Sequence, residues 1–439
     1  MIIDPAPMGS FDPVPAIAVN KENFMKKILL ALLAVFITLS AGAQTKEIRV
    51  LLANHPYGDL LKAAIPDFEK QTGIKVNLEQ YQESQLSTKL ATEFATGSST
   101  VDVFMTRPLQ EAKMFYKNGW YQPLTTYNFS DFPQNALSVV SFGSKTYVVP
   151  IVTEWQVLYY RIDLLKKAGV AVPKTLVELE AAAKKLTTAD VAGIASRGKG
   201  AAAVTQLSSY IYNYGGAFLA KGKAAFNTAE ALEGIKYYGR LIGTYGPAGV
   251  AAMSWDNIMP VFQAGKIAMW TDASVFYGNI VDPTKSQVPK ESVGIANLPA
   301  GPKGSHPFIV VSWGMAIAKK TKNADAAQQF LNWATSAEMA KKGLISNITM
   351  ARNSPWVDKE VLALVNPGLV TTREFAAKNG FPYDRPYMSA VGEARDLIGE
   401  VIVEAINSKG TSTKLQTLAD AKVKAVNELL EDTGEYGVE

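Results

Sequence analysis

Apolar positions along the chain switch repeatedly between two periods. Ile48-Arg-Val-Leu-Leu-Ala53, Ile74-Lys-Val-Asn-Leu78 and Val101-Asp-Val-Phe-Met105 are short, apolar-rich runs bounded by polar residues, and read as strands. Between them lie stretches with one apolar stripe at helical spacing. Helices are expected from Asp59 to Gln71, closed by Gly73, and from Gln85 to Ala95, ending at Gly97. A third, from Leu109 to Tyr116, stops at Asn118-Gly119, a pair suited to the left-handed turn that ends helices. Strands alternating with amphipathic helices predict α/β layers built on mainly parallel sheets.

The amino terminus breaks this pattern. Met25-Lys26-Lys27 is a short basic region, Ile28 to Leu39 an apolar core interrupted only by Thr38, and Ser40-Ala41-Gly42-Ala43 a small-residue cleavage site. Together they read as a secretory signal over residues 25–43, with the mature chain starting near Gln44. The apolar core is too short for a membrane helix, which needs about twenty such residues. Residues 1–24 carry Pro5, Pro7, Pro13 and Pro15 with no periodic apolar face, and read as an upstream extension.

Composition narrows the function classes. There is no cysteine, so disulfides, thiolate metal sites and a lipid-modified cysteine are excluded, and the expected location is the periplasm without a lipid anchor. The net charge of +4 survives signal removal, because Lys21, Lys26 and Lys27 balance Asp4, Asp12 and Glu22. Basic residues are spread along the chain rather than gathered in a stripe, which argues against nucleic acid as a partner. The nearly four hundred residues left after cleavage exceed what one core usually serves, so two domains are expected.

Several segments, in fixed order, resemble the family 1 extracellular solute-binding proteins of bacterial ABC importers. Phe68-Glu-Lys-Gln-Thr-Gly73-Ile74-Lys-Val76 is similar to that family's opening, Asp102-Val-Phe to its third strand, and Asn118-Gly119-Trp120-Tyr-Gln-Pro-Leu124 to the exit that follows. Pro173-Lys-Thr175-Leu-Val-Glu-Leu179, Val261-Phe-Gln-Ala-Gly265-Lys266-Ile-Ala268-Met269 and Ser312-Trp313-Gly314-Met-Ala-Ile317 continue the series, and Tyr147 to Gly169 resembles the first crossing between lobes. The resemblance implies a type II periplasmic binding protein related to maltose-binding protein. Each lobe would be a mainly parallel sheet flanked by helices, with about three crossing segments near Ile151–Trp155, Ile309–Trp313 and Ile348–Arg352. Lobe 1 would comprise 44–152 plus 312–350, and lobe 2 would comprise 153–311 plus 351–439. The implied function is capture of a neutral sugar, sugar alcohol or short glycan by a monomer that delivers it to an inner-membrane ABC permease.

Recognition of a polyhydroxylated ligand needs aromatic faces for C–H surface and carboxylates, amides or arginine for hydroxyl groups. Both kinds sit at the chain's turning points. Glu154 and Trp155 lie in the first crossing, Glu154 where maltose-binding protein has a ligand-contacting acid. Trp270 and Asp272 follow Met269, Trp313 lies in the second crossing, and Trp255 opens the segment before Val261. Tyr57, Glu83, Thr106 and Arg107 follow strands, where open α/β sheets bind ligands. Arg352 and Tyr387 complete the candidate set from the last crossing and the carboxyl-terminal segment. The bland alternatives are core packing for each tryptophan and simple loop exposure for the polar residues.

Catalytic parts are scarce. His55 and His306 are the only histidines, and no H-E-x-x-H, G-x-S-x-G or P-loop occurs, so no enzyme activity, cofactor or metal is expected. Gly198-Lys-Gly200-Ala-Ala-Ala203 matches a dinucleotide fingerprint, yet Lys221-Gly-Lys223 stands where the ribose-binding acid belongs, and a glycine-rich loop bordering the cleft is the better reading. A metal carrier could use Tyr210, Tyr212 and Tyr214, but their spacing within a helix scatters them around it. Polyamine and peptide ligands remain the other rivals, as does an enzyme on the same fold.

Overall fold

The fold is organised by one thirteen-residue strand that serves two sets of neighbours. The computed structural model describes residues 46–438 apart from Ser99, with the isolated Met1 and Gly9. The expected signal segment and the upstream extension lie outside the described residues. Glu47–Ala53 (β1) leads through Pro56–Thr72 (α1) to Lys75–Tyr81 (β2), then Glu83–Ala95 (α2) and Val103–Thr106 (β3). Val149–Arg161 (β4) is the long strand. Helices Gly200–Tyr214 (α3), Ala229–Tyr245 (α4) and Trp255–Gln263 (α5) precede strands Met269–Ala273 (β5), Val293–Asn297 (β6) and Ile309–Ile317 (β7). Ala324–Ala334 (α6), Pro367–Asn379 (α7), Val391–Asn407 (α8) and Leu415–Asp432 (α9) follow.

Ile48, Val50, Leu51, Leu52 and Ala53 are all buried, so β1 is covered on both faces, as expected of a parallel strand between helix layers. It pairs in parallel with β2 and with β3. The first helix starts three residues before the expected Asp59, because His55 caps it and Pro56 fills its first position, where the missing N–H costs nothing. Gly73, at φ 70°, ends it in the left-handed conformation expected of it. The expected helix from Leu109 is instead a π turn over Pro108–Ala112 followed by a short helix over Lys113–Lys117.

The sheet as a whole is mixed, in the order β6-β4-β7-β3-β1-β2, with β5 also on β4. Antiparallel pairing dominates around the long strand. Its first half pairs with β7, placing Trp155 opposite Ile309 and Val152 opposite Trp313, and its second half pairs with β5 and β6. A chain that crosses and returns between two layers must run both ways in the same sheet, so the mainly parallel arrangement is limited to the first strands and bridges such as Ala195–Trp270. A third segment lies against β4: the Thr153 N–H donates to Thr349 O, and the Ala351 N–H to Ile151 O, both at 2.8 Å. The three expected crossings therefore run side by side.

Two apolar clusters flank this spine. One packs α1, α2 and α6 on the first strands through Leu61, Phe68, Phe94, Phe104 and Phe330. The other joins α3, α4, α8 and α9 through Ile211, Tyr238, Ile402 and Val426, and takes Tyr210 as core rather than as a metal ligand. Full burial of such side chains contributes about 1.5–3 kcal/mol each. Helices α4 and α8 approach so closely that a Cβ on Gly239 would stand 2.4 Å from the Ala405 carbonyl oxygen. Among the described residues, no helix is long and apolar enough to cross a membrane.

Candidate ligand-binding cleft

A cleft of about 820 Å³ opens where the strands end and the chain turns. Its first wall comes from the β1–α1 turn with Asn54, His55 and Asp59, the β2–α2 joint with Gln82 and Glu83, and Arg107 just after β3. Glu154 on β4 and Ser312 and Trp313 on β7 form its base. The opposite wall is Arg197, the first turn of α3 from Gly200 to Ala202, Trp255 at the start of α5, Phe276, Asp384, Arg385 and Arg395. Carboxyl ends of strands and an α-helix start are thus gathered in one place, as the open-sheet rule requires.

The glycine-rich segment borders the cleft for steric reasons. A Cβ on Gly198 would lie 2.1 Å from the Val250 carbonyl oxygen, and Gly200 has φ +35°, so neither position accommodates an ordinary side chain easily. That close approach brings Arg197 and Lys199 to the wall.

Three of the arginines here are already paired. Arg107 donates from Nη1 to Glu83 at 3.2 Å, from Nη2 to Ser87 at 2.6 Å and from Nε to Glu111 at 3.3 Å. Burial pushes the Glu83 carboxyl up, but the guanidinium groups of Arg107 and Arg197 outweigh it and hold the group below its ordinary range. Beneath the wall, Arg197 Nε lies 3.1 Å from both Asp272 carboxylate oxygens, and Gln206, the Ala273 N–H and the Trp270 indole N–H also donate to Asp272. Asp384 is buried, which raises its pKa, yet Arg385, donating from Nε at 2.7 Å, brings it below the usual value.

Arg395 differs. Its Nη1 donates to Gln110 Oε1 and its Nη2 to Ala201 O, each at 2.7 Å, and among the described residues no carboxylate pairs with it. Burial, with Arg385 and Arg107 nearby, lowers its pKa well below the ordinary arginine value.

Aromatic surface supplies the rest. Trp255, Phe276 and Trp270 form a column, with centroids 5.0 and 5.6 Å apart and interplanar angles of 22° and 14°. Trp270 is its buried end and Trp255 its cleft end. Across the base, the Trp313 ring lies 5.8 Å from the Arg107 guanidinium carbon and 5.7 Å from the His55 ring.

Of the twelve residues singled out from the sequence, Glu83, Arg107, Glu154, Trp255 and Trp313 line the cleft. Thr106, Trp270 and Asp272 lie behind its wall; Thr106 Oγ1 donates to Glu111 at 2.7 Å, so it orients the acid that holds Arg107. Four lie elsewhere. Tyr57, the second residue of α1, points into the core and donates its hydroxyl to Ala334 O. Trp155 is buried among the crossings, its indole N–H donating to Thr372 Oγ1 at 3.0 Å. Arg352 is held by Asp131 at 3.0 Å and Thr335 O at 2.7 Å, on a face away from the cleft lining. Tyr387 carries the Lys113 ammonium 4.2 Å over its ring. His55, Arg197, Phe276, Asp384, Arg385 and Arg395 also line the cleft and are not among the residues expected from the sequence. His55 was legible, since it is the first residue but one after β1; Arg385 and Arg395 arrive from a distant segment that no local pattern ties to the cleft.

Residues 53–341, well over half of the chain, match the family described as bacterial extracellular solute-binding protein. The chain belongs to that family. This solute-binding protein is 29% identical over 271 residues to the mannitol-binding protein of Pseudomonas aeruginosa, a match spanning 59% of this chain and 62% of that relative's length. Among solved structures, an ABC transporter solute-binding protein of Agrobacterium radiobacter K84 in complex with ribitol is 26% identical, with a TM-score of 0.78 over 88% of this chain and 98% of that one. A second, from Agrobacterium vitis S4 with bound D-mannitol, is 24% identical and superposes with a TM-score of 0.77 over 89% and 99%, which establishes the shared type II periplasmic binding fold. The family is one of solute-binding proteins rather than enzymes.

Proposed function

We propose that this solute-binding protein is the receptor of an ABC importer and captures a neutral polyol or small sugar in the cleft. The observation that carries the reading is that three of the cleft's arginines already have carboxylate partners. Arg107, Arg197 and Arg385 are committed to Glu83, Glu111, Asp272 and Asp384, which leaves Trp255, Phe276 and Trp313 as stacking faces and Glu154 as a hydroxyl acceptor. Such a surface suits a ligand with C–H faces and many hydroxyl groups and no net charge. The ribitol and D-mannitol complexes of the similar proteins support the same class.

Capture in this reading is a closure about the crossings within β4, β7 and 349–351. Lobe 1 corresponds to 44–152 plus 312–350, and lobe 2 to 153–311 plus 351–439. The opposite wall offers Trp255 and Phe276 and the base offers Trp313, whereas only the closed cleft holds the ligand between them, and this differential affinity drives closure. The chain works without catalysis as a monomer in the periplasm, reached through a signal at 25–43, and an inner-membrane permease receives the closed form.

A second reading has one observation behind it. Among the described residues Arg395 has no carboxylate partner, and a ligand bearing an acid group would supply one. Calorimetric titration of the mature protein with ribitol, D-mannitol, maltose, D-gluconate and putrescine separates the cases. Saturable binding of a neutral compound, with gluconate at least about tenfold weaker, is the expected result. Binding of gluconate alone favours the second reading, and binding of putrescine alone overturns both.

A further inference from the structure

The side chain of His55 has two jobs that point in opposite directions. Its Nδ1 accepts the Tyr57 backbone N–H at 3.1 Å and so caps α1. A ring nitrogen that accepts cannot also carry the proton, which assigns the ring hydrogen to Nε2. Among the described residues that Nε2 has no hydrogen-bond partner, although the residue is only 8% exposed and lines the cleft. Buried donors are nearly always satisfied, so an orphan at the rim of a binding cleft calls for a partner the protein itself does not provide.

The nearest acceptor shows which partner fits. Glu154 Oε1 lies 3.9 Å from Nε2, too far for a hydrogen bond. An oxygen about 2.8 Å from both atoms would see them at an angle of about 90°, close to the angle between the lone pair and the O–H bond of a hydroxyl group. Such an oxygen must accept from Nε2 and donate to the carboxylate. A ligand hydroxyl does both; an ether, a carbonyl or a carboxylate can do only the first, and an ammonium only the second. Nε2 has almost no surface open to water in this arrangement, so a ligand hydroxyl reaches it only with a movement of the cleft walls.

We propose that His55 and Glu154 together form a one-hydroxyl subsite, in which His55 is a ligand donor of fixed tautomer and sets the specificity for a free hydroxyl at one ligand position. The Trp313 ring, 5.7 Å from the imidazole, walls the subsite on one side. The inference rests on the polyol reading and sharpens it, because it demands a particular hydroxyl rather than polarity in general.

The test compares wild type, His55→Asn and Glu154→Gln by calorimetry with D-mannitol and the set of monodeoxy-D-mannitols. Asparagine still caps a helix, so His55→Asn keeps the α1 start while removing the Nε2 donor, and its unfolding temperature checks that it folds. Wild type should bind D-mannitol and lose about tenfold or more for at least one deoxy compound. His55→Asn should bind D-mannitol about tenfold more weakly and no longer distinguish that deoxy compound from the parent. Full discrimination retained by a folded His55→Asn overturns the subsite while leaving the polyol reading standing. A wild type that binds no neutral polyol overturns both.

Discussion

Arg197 and Asp272 meet beneath the cleft wall as an ion pair in which the guanidinium Nε lies 3.1 Å from each carboxylate oxygen and the acid is fully buried. The pair holds the α3 entrance and strand β5 in one register, so the wall that carries Phe276 and Lys199 depends on it. A buried carboxylate deprived of its cation is costly. Arg197→Met should therefore lower stability by about 3–5 kcal/mol in denaturant unfolding. Adding Asp272→Asn should recover a large part of that loss, because the amide oxygen still accepts from Gln206 or the Ala273 N–H without a bare charge. A double variant as unstable as the single one would mean that the ion pair's charge is not what matters.

Trp255 ends the aromatic column on the ligand side while its helix start is fixed independently, through the Ser254 N–H donating to Asn257 Oδ1 at 3.0 Å. Trp255→Ala should weaken polyol binding by about 1–2 kcal/mol, or roughly tenfold in Kd, with the far-ultraviolet circular dichroism unchanged. Trp155→Ala, which removes a core indole bonded to Thr372, should instead lower the melting temperature strongly. The reverse pattern would return Trp155 to the binding site.

Acid should expose two further carboxylates. Burial alone would raise Glu435, but Lys113, donating at 2.9 Å, and Ser389 bring it down to about 2; burial would likewise raise Glu93, and Arg49, Lys89 and Thr100 bring it down to about 2. Both folded values lie below the ordinary 4.5, so the stabilisation is complete above that value and is lost as pH falls towards 2. After solvent screening the two together should contribute about 1–2 kcal/mol. Urea midpoints should stay level from about pH 7 to 5 and fall below that, with Glu435→Gln showing a shallower fall.

Much of this architecture is legible in the chain because it is local. β1 reads as a buried strand from four apolar residues in a row, Val50 to Ala53, and Gly73 reads as a helix end because only the left-handed conformation closes that turn cheaply. The crossings are legible through their order, and Glu154 and Trp313 follow from them. Side-chain direction is not legible in the same way. Tyr57 and Trp155 occupy promising positions but turn into the core, one reaching the Ala334 carbonyl at the end of α6 and the other fully buried with its indole bonded to Thr372. Nor does local sequence reveal that Arg385 and Arg395 join Gln110 across the cleft, since 275 and 285 residues separate the partners.

In the proposed mechanism a neutral polyol drives the two lobes together about the crossings in β4, β7 and 349–351. Small-angle X-ray scattering of the mature protein, with and without the polyol that calorimetry finds to bind, measures this directly. The radius of gyration should be smaller at saturating ligand and unchanged with a non-binding sugar. An unchanged radius of gyration at full calorimetric saturation would contradict it, and would leave a rigid, preformed pocket as the binding site.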